Sequence, residues 1–155
     1  MARRRPLDVE EHLDRLYRAA LALCGDRDEA QDLVQETCAR VLARPRDVRG
    51  EDALPYLLRA LRNVFLNERR TRSRRPQTVA AGFDAPAPLS TSRAAELREV
   101  WTVIAALPED QRDALVAVDV CGLSYAEAGV LLDVNEATIA TRVFRARERV
   151  ARLLQ

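Results

Sequence analysis

The chain has 155 residues, 25 basic and 24 acidic, for a formal net charge of +1. That near-balance excludes a uniformly basic nucleic-acid coat. With 48% hydrophobic but only 5% aromatic content, the cores must be aliphatic, in one domain or two small ones. Scarce Gly, abundant Ala, Leu, Arg and Glu, and no sustained strand alternation predict an all-α fold.

Charge sits in patches. Residues 1–75 hold 17 Arg against 13 acids (net +4), residues 94–136 hold 2 against 9 (net −7), and residues 137–155 hold 5 against 1 (net +4). Cys24, Cys38 and Cys121 are an odd, scattered set without CxxC, and there is one His. A disulfide framework, a metal site or another cofactor is not expected; free thiols in a reducing cytoplasm are. The basic start MARRRPLDVEEHL has no apolar run behind it, and no stretch is long enough for a membrane span, so a cytoplasmic protein without membrane insertion is expected.

Val9, Leu13, Leu16, Ala20 and Leu23 predict a first amphipathic helix, closed by Gly25. Asp26 caps a second, with Glu29 three residues on; its apolar stripe is Ala30, Leu33, Val34, Thr37, Cys38, Val41 and Leu42. The outward face carries Asp32, Gln35, Glu36 and Arg40, and Arg44-Pro45 stops the helix. A third helix begins near Leu54-Pro55, with Leu54, Leu57, Leu58, Leu61, Val64 and Phe65 inward. Arg59, Arg62, Asn63, Asn67, Arg70 and Arg74 lie on the other side. These three helices form a first module, residues 1–75.

Residues 76–93, PQTVAAGFDAPAPLSTSR, read as a flexible linker able to span roughly 60 Å at about 3.3 Å per residue. The second module, residues 94–155, opens with a helix over Ala94–Ala106 carrying Leu97, Val100, Trp101 and Ile104. Leu107-Pro108 breaks it, and a helix over Glu109–Val120 follows, with Leu115, Val116 and Val118 apolar and Gly122 as its stop. Ser124 and Glu127 form a capping box for a short helix to Leu132. Asp133-Val134-Asn135 breaks the pattern, and Asn135 caps a longer helix. Ile139, Val143, Ala146, Val150 and Leu153 make its buried stripe, and Arg142, Arg145, Arg149 and Arg152 follow a neighbouring face. Two readings stand on these residues alone. One is a helix-turn-helix reader of the major groove; the other is a helical hairpin with a solvated Arg face. Likewise Asp32 and Glu36 read as docking or merely solvated charges, and Asn63 as a base reader or a core hydrogen-bonding residue. Trp101 reads as core and His12 as surface.

Taken in order, DEAQDLVQETCARVLARP, LPYLLRALRNVFLNERRTRSRR and LPEDQRDALVAVDVCGLSYAEAGVLLDVNEATIATRVFRARERV resemble the extracytoplasmic-function (ECF) type of bacterial sigma factor, the minimal two-domain form. The resemblance implies that Asp32, Gln35, Glu36 and Arg40 dock on the clamp helices of core RNA polymerase. It implies that the third helix and the Arg44–Pro55 loop read and open the minus-ten promoter DNA, and that the helix-turn-helix reads the minus-thirty-five element. A positive track with hydrogen-bonding groups suits a single strand, which Arg59, Arg62, Asn63, Asn67 and Arg70 offer. Short side chains at a helix start suit base edges, and cations further along suit phosphates. Glu136, Ala137, Thr138 and Thr141 fit the first task, Arg142 and Arg145 the second. The chain departs from the family at Asp133, where Gly is usual, at Asn67, where Asp is commoner, and at Ala137–Arg142, which lacks the usual Lys. An anti-sigma factor is an expected partner, because an open two-module form leaves these faces exposed. A stand-alone helix-turn-helix regulator and a protein-binding helical adaptor are the competing functions. An enzyme is disfavoured by one His, no Gly-rich phosphate loop and no metal-spaced ligands.

Overall fold

The computed structural model describes residues 7–74, except 45, 47 and 49, and residues 92–155. The expected linker stretch 76–91 therefore lies outside the described residues, as does residue 75 at the end of the Arg-bearing run. Among the described residues there are seven α-helices and no strand. They are α1 (Leu13–Cys24), α2 (Arg27–Ala43), α3 (Ala53–Arg74), α4 (Ser92–Ala105), α5 (Glu109–Leu115), α6 (Tyr125–Leu132) and α7 (Glu136–Leu153). Single 3-10 turns precede α1 and α3.

Local chemistry sets most of these limits. Gly25 ends α1 in the left-handed region (φ 72°, ψ 3°), its N–H donating to Leu21 O at 2.7 Å. Asp26 Oδ2 then accepts the Glu29 N–H at 3.0 Å, so one helix stops and the next starts within two residues. α5 does not run on to Val120 as expected. Residues Val116–Val120 widen into a π turn, in which the Cys121 N–H donates to Val116 O at 3.0 Å. The extra residue per turn shifts the register, so that Ala117 is buried where Val118 was expected. Gly122, at φ 75°, ends the turn.

α1, α2 and α3 pack together around Leu16, Ala20, Leu33, Leu57 and Leu61, all nearly or wholly removed from solvent. Each Leu so buried contributes on the order of 1.5–3 kcal/mol. α5, α6 and α7 close around Leu115, Cys121, Ala128, Ile139, Val143 and Ala146. Apolar residues at helix ends overhang these cores. Leu13, Leu42 and Leu153, expected inward, are 40–60% exposed because they occupy terminal turns of α1, α2 and α7, and Leu97, 53% exposed, lies in the first half of α4, where residues 92–99 are all exposed.

One boundary is corrected. Ser92 and Arg93, assigned to the linker, begin α4. The two expected modules are present, and they pack against each other. α4 lies chiefly along α1, α1 also meets the π turn, and α3 meets α6. Gly25 permits this approach: a Cβ there would sit 3.1 Å from Ala105 Cβ. Leu23, Leu58 and Leu61 of the first module face Val116, Leu131 and Leu132 of the second across an apolar seam with a gap of only about 20 Å³. Packing apolar faces whose partners lie across the seam removes more surface from water than either module achieves alone.

Candidate functional site

The second module's reading head is built by three local devices. Ser124 Oγ accepts the Glu127 N–H, and Glu127 Oε1 accepts the Ser124 N–H, both at 3.0 Å, a reciprocal box that starts α6. Asp133 turns the chain at φ 57°, ψ 46°, and the Val134 N–H returns to Gly129 O at 3.0 Å. The turn is so tight that a Cβ on Gly129 would lie 2.7 Å from Val134 O. Asn135 Oδ1 then accepts the Thr138 N–H at 2.8 Å and opens α7.

Ile139, Val143 and Ala146 pin α7 to the core with no exposure, which fixes what the other face presents. Glu136, Ala137, Thr141 and Arg145 are exposed; Thr138 and Arg142 are half-buried. Thr141 Oγ1 donates to Ala137 O at 3.1 Å, and Arg142 Nε lies 3.8 Å from Asp110 Oδ2. Phe144, 62% exposed and three residues beyond Thr141, shares this outward face. Sequence reasoning missed it, although an aromatic lying off the 139–143–146 stripe was a readable signal. Arg147 is committed elsewhere. Its Nε and Nη2 donate to Asp119 at 2.8 and 2.6 Å, which strengthens its hold on its proton and ties α7 to the π turn.

On α3 the candidate set divides. Asn63, Asn67 and Arg70 are exposed. Arg59 is exposed too, but its Nη2 donates to Val130 O of α6 at 3.3 Å. Arg62 is half-buried: its Nε donates to Asp113 Oδ2 at 2.8 Å, and its Nη2 lies 3.6 Å from Glu109 Oε1. Asp113 is nearly buried, and its other oxygen accepts from Arg112 Nε and Nη2 at 3.1 and 3.0 Å. Arg112, 1% exposed, sits over the Phe65 ring of α3 at 5.0 Å, and Arg69 sits 4.7 Å from the same centroid. Sequence reasoning did not see this network, because an Arg-Asp pair on a short helix reads as solvated.

On α2, Asp32, Gln35, Glu36 and Arg40 form the expected exposed face, with Arg40 Nε donating to Glu36 Oε1 at 2.8 Å. Leu33 is buried and Val34 half-buried behind them. Among the described residues no cluster of three metal-ligating side chains exists, and no helix is long and apolar enough to cross a membrane. The three thiols are unbridged. Burial, with Glu29 and Glu68 nearby, pushes Cys24 up to about 12, and burial does the same to Cys121, so neither is a ready nucleophile.

A helix-turn-helix with an unobstructed leading face, joined to a second helical body carrying an Arg-Asn helix, defines a DNA-binding protein of transcription. Sigma-70 region 2 matches residues 9–75, and sigma-70 region 4 matches residues 97–150. The ECF RNA polymerase sigma factor EcfG of Rhodopseudomonas palustris is 33% identical over 150 residues, 95% of this chain and 83% of that protein. SigM of Bacillus subtilis, also an ECF sigma factor, is 27% identical over 92% of this chain and 90% of its own length. In structure, the sigma factor RpoE of Bartonella quintana, solved with the anti-sigma factor NepR, superposes with a TM-score of 0.77. It is 29% identical, covering 94% of this chain and 93% of that one. CnrH, solved with the cytosolic domain of CnrY, shares the fold (TM-score 0.69, 21% identity, 94% of this chain and 84% of that one).

The chain therefore belongs to the sigma-70 family, and within it to the ECF type. It is a sigma factor, which binds core RNA polymerase and directs promoter recognition and the start of transcription.

Proposed function

We propose that residues 1–75 serve polymerase docking and the minus-ten element, that residues 94–155 serve the minus-thirty-five element, and that the chain does no chemistry of its own. The observation that carries this reading is the geometry of α7. Its stripe is locked inward and its start is framed by the Asn135 cap, so Ala137, Thr138 and Thr141 stand where base edges come close. Glu136 there can accept from a cytosine amino group, and Arg142 and Arg145 lie one turn further along, where phosphates are met. Phe144 adds an apolar surface suited to a thymine methyl group. On α3, the exposed Asn63, Asn67 and Arg70 supply hydrogen bonds and charge to an unpaired strand, and Arg59 and Arg62 extend that track once free of the second module.

Asp32, Gln35, Glu36 and Arg40 serve polymerase. They are held outward by a helix whose inner face is spent on the core, and the only local tie among them is an exposed i,i+4 pair. The replacement Asp32→Arg with Glu36→Arg removes two acids from this face. The variant is expected to fold with a melting point close to the parent, since exposed pairs contribute only about 0.3–0.5 kcal/mol. It is expected to lose co-purification with core polymerase and promoter-directed transcription. Retained association would move the docking face elsewhere.

A protein inhibitor of the anti-sigma kind is a further part of this reading, supported by the Bartonella relative found with one. A stand-alone regulator is disfavoured: it leaves the first module, matched to sigma-70 region 2, without a task.

A further inference from the structure

The acidic edge of α5 contacts basic side chains assigned above to both promoter elements. Glu109 and Asp113, one helical turn apart, take Arg62 across the seam between modules, and Asp110, beside them, faces Arg142 within the second module. Arg59 is held in parallel on the Val130 carbonyl, left accepting at the exposed side of α6. We propose that Glu109 and Asp113 act as an internal substitute for promoter phosphate. They latch the minus-ten arginine Arg62, so in the free protein this part of the single-strand track is closed until the modules part. This rests on the assignment of Arg62 to minus-ten DNA.

Three features fit a latch better than a permanent clamp. Asp113 is 3% exposed and shared by Arg62 and Arg112, so its carboxylate is neutralised chiefly by these two guanidinium groups. Buried charge carries a large desolvation penalty, so parting the seam recovers hydration that offsets part of the lost attraction. Arg62 itself keeps 31% of its side chain in solvent, and Glu109 keeps 58%. A phosphate can therefore approach the guanidinium from the open side and displace the weaker partner first. The geometry also makes the exchange competitive. Arg62 Nε is already used at 2.8 Å, and the same fork cannot hold Asp113 and a backbone phosphate in the same directions.

The test is binding of the full-length free protein to a fluorescein-labelled, mixed-sequence single-stranded DNA of about 12 nucleotides at roughly 50 mM salt. If the competent form is a small fraction, apparent affinity scales with that fraction, so Glu109→Gln with Asp113→Asn is expected to tighten binding about tenfold. Adding Arg62→Ala should cancel the gain, because the freed guanidinium is the group that meets the strand. Glu96→Gln with Glu99→Gln on exposed α4 removes the same charge elsewhere and should not reproduce the effect. If Asp113→Asn prevents folding, Glu109→Arg, at an exposed position, repels Arg62 and should tighten binding in the same Arg62-dependent way. Unchanged binding by a folded variant, a gain that survives Arg62→Ala, or an equal gain in the charge-matched control overturns the latch. The DNA assignment is tested apart from it, by promoter opening with reconstituted holoenzyme carrying Arg62→Ala. Opening that depends on Arg62 while free binding ignores α5 removes the latch alone. Opening indifferent to Arg62 removes the assignment, and the proposal with it.

Discussion

Asp133 is the described non-Gly residue with a positive φ, and it occupies the turn that sets the angle between α6 and α7. A residue with a Cβ costs roughly 1–2 kcal/mol in this region, and Gly gives back part of the relief through its larger unfolded-state entropy. Asp133→Gly is expected to stabilise the protein by about 0.5–1 kcal/mol, read as a melting point a few degrees higher. Asp133→Val should do the reverse. Equal melting points would mean that contacts of the Asp side chain, not its backbone, govern the turn. The buried thiol Cys121 carries a pH signature. Its ionisation is pushed from 9.0 to about 12 by burial, so the unfolded chain loses this proton first as pH rises. The stabilisation it gives is intact below about pH 9 and is lost as pH climbs toward 12, at no more than about 1.4 kcal/mol per pH unit. Denaturant titrations between pH 8 and 11 should show that slope in the parent and a shallower one in Cys121→Ala, whatever the cavity costs at neutral pH. Parallel slopes would remove Cys121 from the alkaline transition.

At the scale of elements, what was legible in the sequence was local. The Ser124–Glu127 box, the Asn135 and Asp26 caps and the Gly25 stop are all chosen by residues within one turn of the groups they satisfy, and all stand where their spacing put them. The candidate DNA helix could be read for the same reason, since Ile139, Val143 and Ala146 fix its inner face by period alone. The register of α5 was not legible, because a π turn inserts without any breaker residue in Val116–Val120. Nor was the burial of Arg112 and Asp113, whose partners Phe65 and Arg62 lie some fifty residues away in sequence. α7 also yields a prediction. Arg142 and Arg145 are assigned to phosphates, so Arg145→Ala should weaken binding to minus-thirty-five duplex and to unrelated duplex by similar factors. The slope of log affinity against log salt should fall by about 1. Thr138→Val should instead change preference among duplexes and leave the slope unaltered. A sequence-selective effect of Arg145→Ala would exchange the two roles.

Across the whole molecule the decisive contact is the approach of α4 to α1 at Gly25. The residue performs two tasks that one substitution can perturb together and a second can separate. Its left-handed conformation ends α1, a matter internal to the first module. Its missing side chain admits Ala105 Cβ to within 3.1 Å of where a Cβ would stand, with Thr102 Cα at 3.5 Å and Trp101 O at 3.8 Å, a matter between modules. Backbone and a short Cβ cannot swing aside as the end of a long side chain would, so crowding there must shift α4 by a few tenths of an ångström and loosen its seat on α1. Gly25→Ala is therefore expected to cost about 1–2 kcal/mol for the strained cap. It should also weaken the hold of α4 on α1, read as faster amide hydrogen exchange along α4. Ala105→Gly in the same chain removes the crowding but not the strain. The double variant should regain the parent's amide protection along α4 while its melting point stays below the parent's. If Gly25→Ala keeps the parent's protection along α4 and Ala105→Gly makes no difference, α4 absorbs the crowding without loosening, and the apolar seam of Leu58, Leu61, Val116 and Leu132 is what seats the modules.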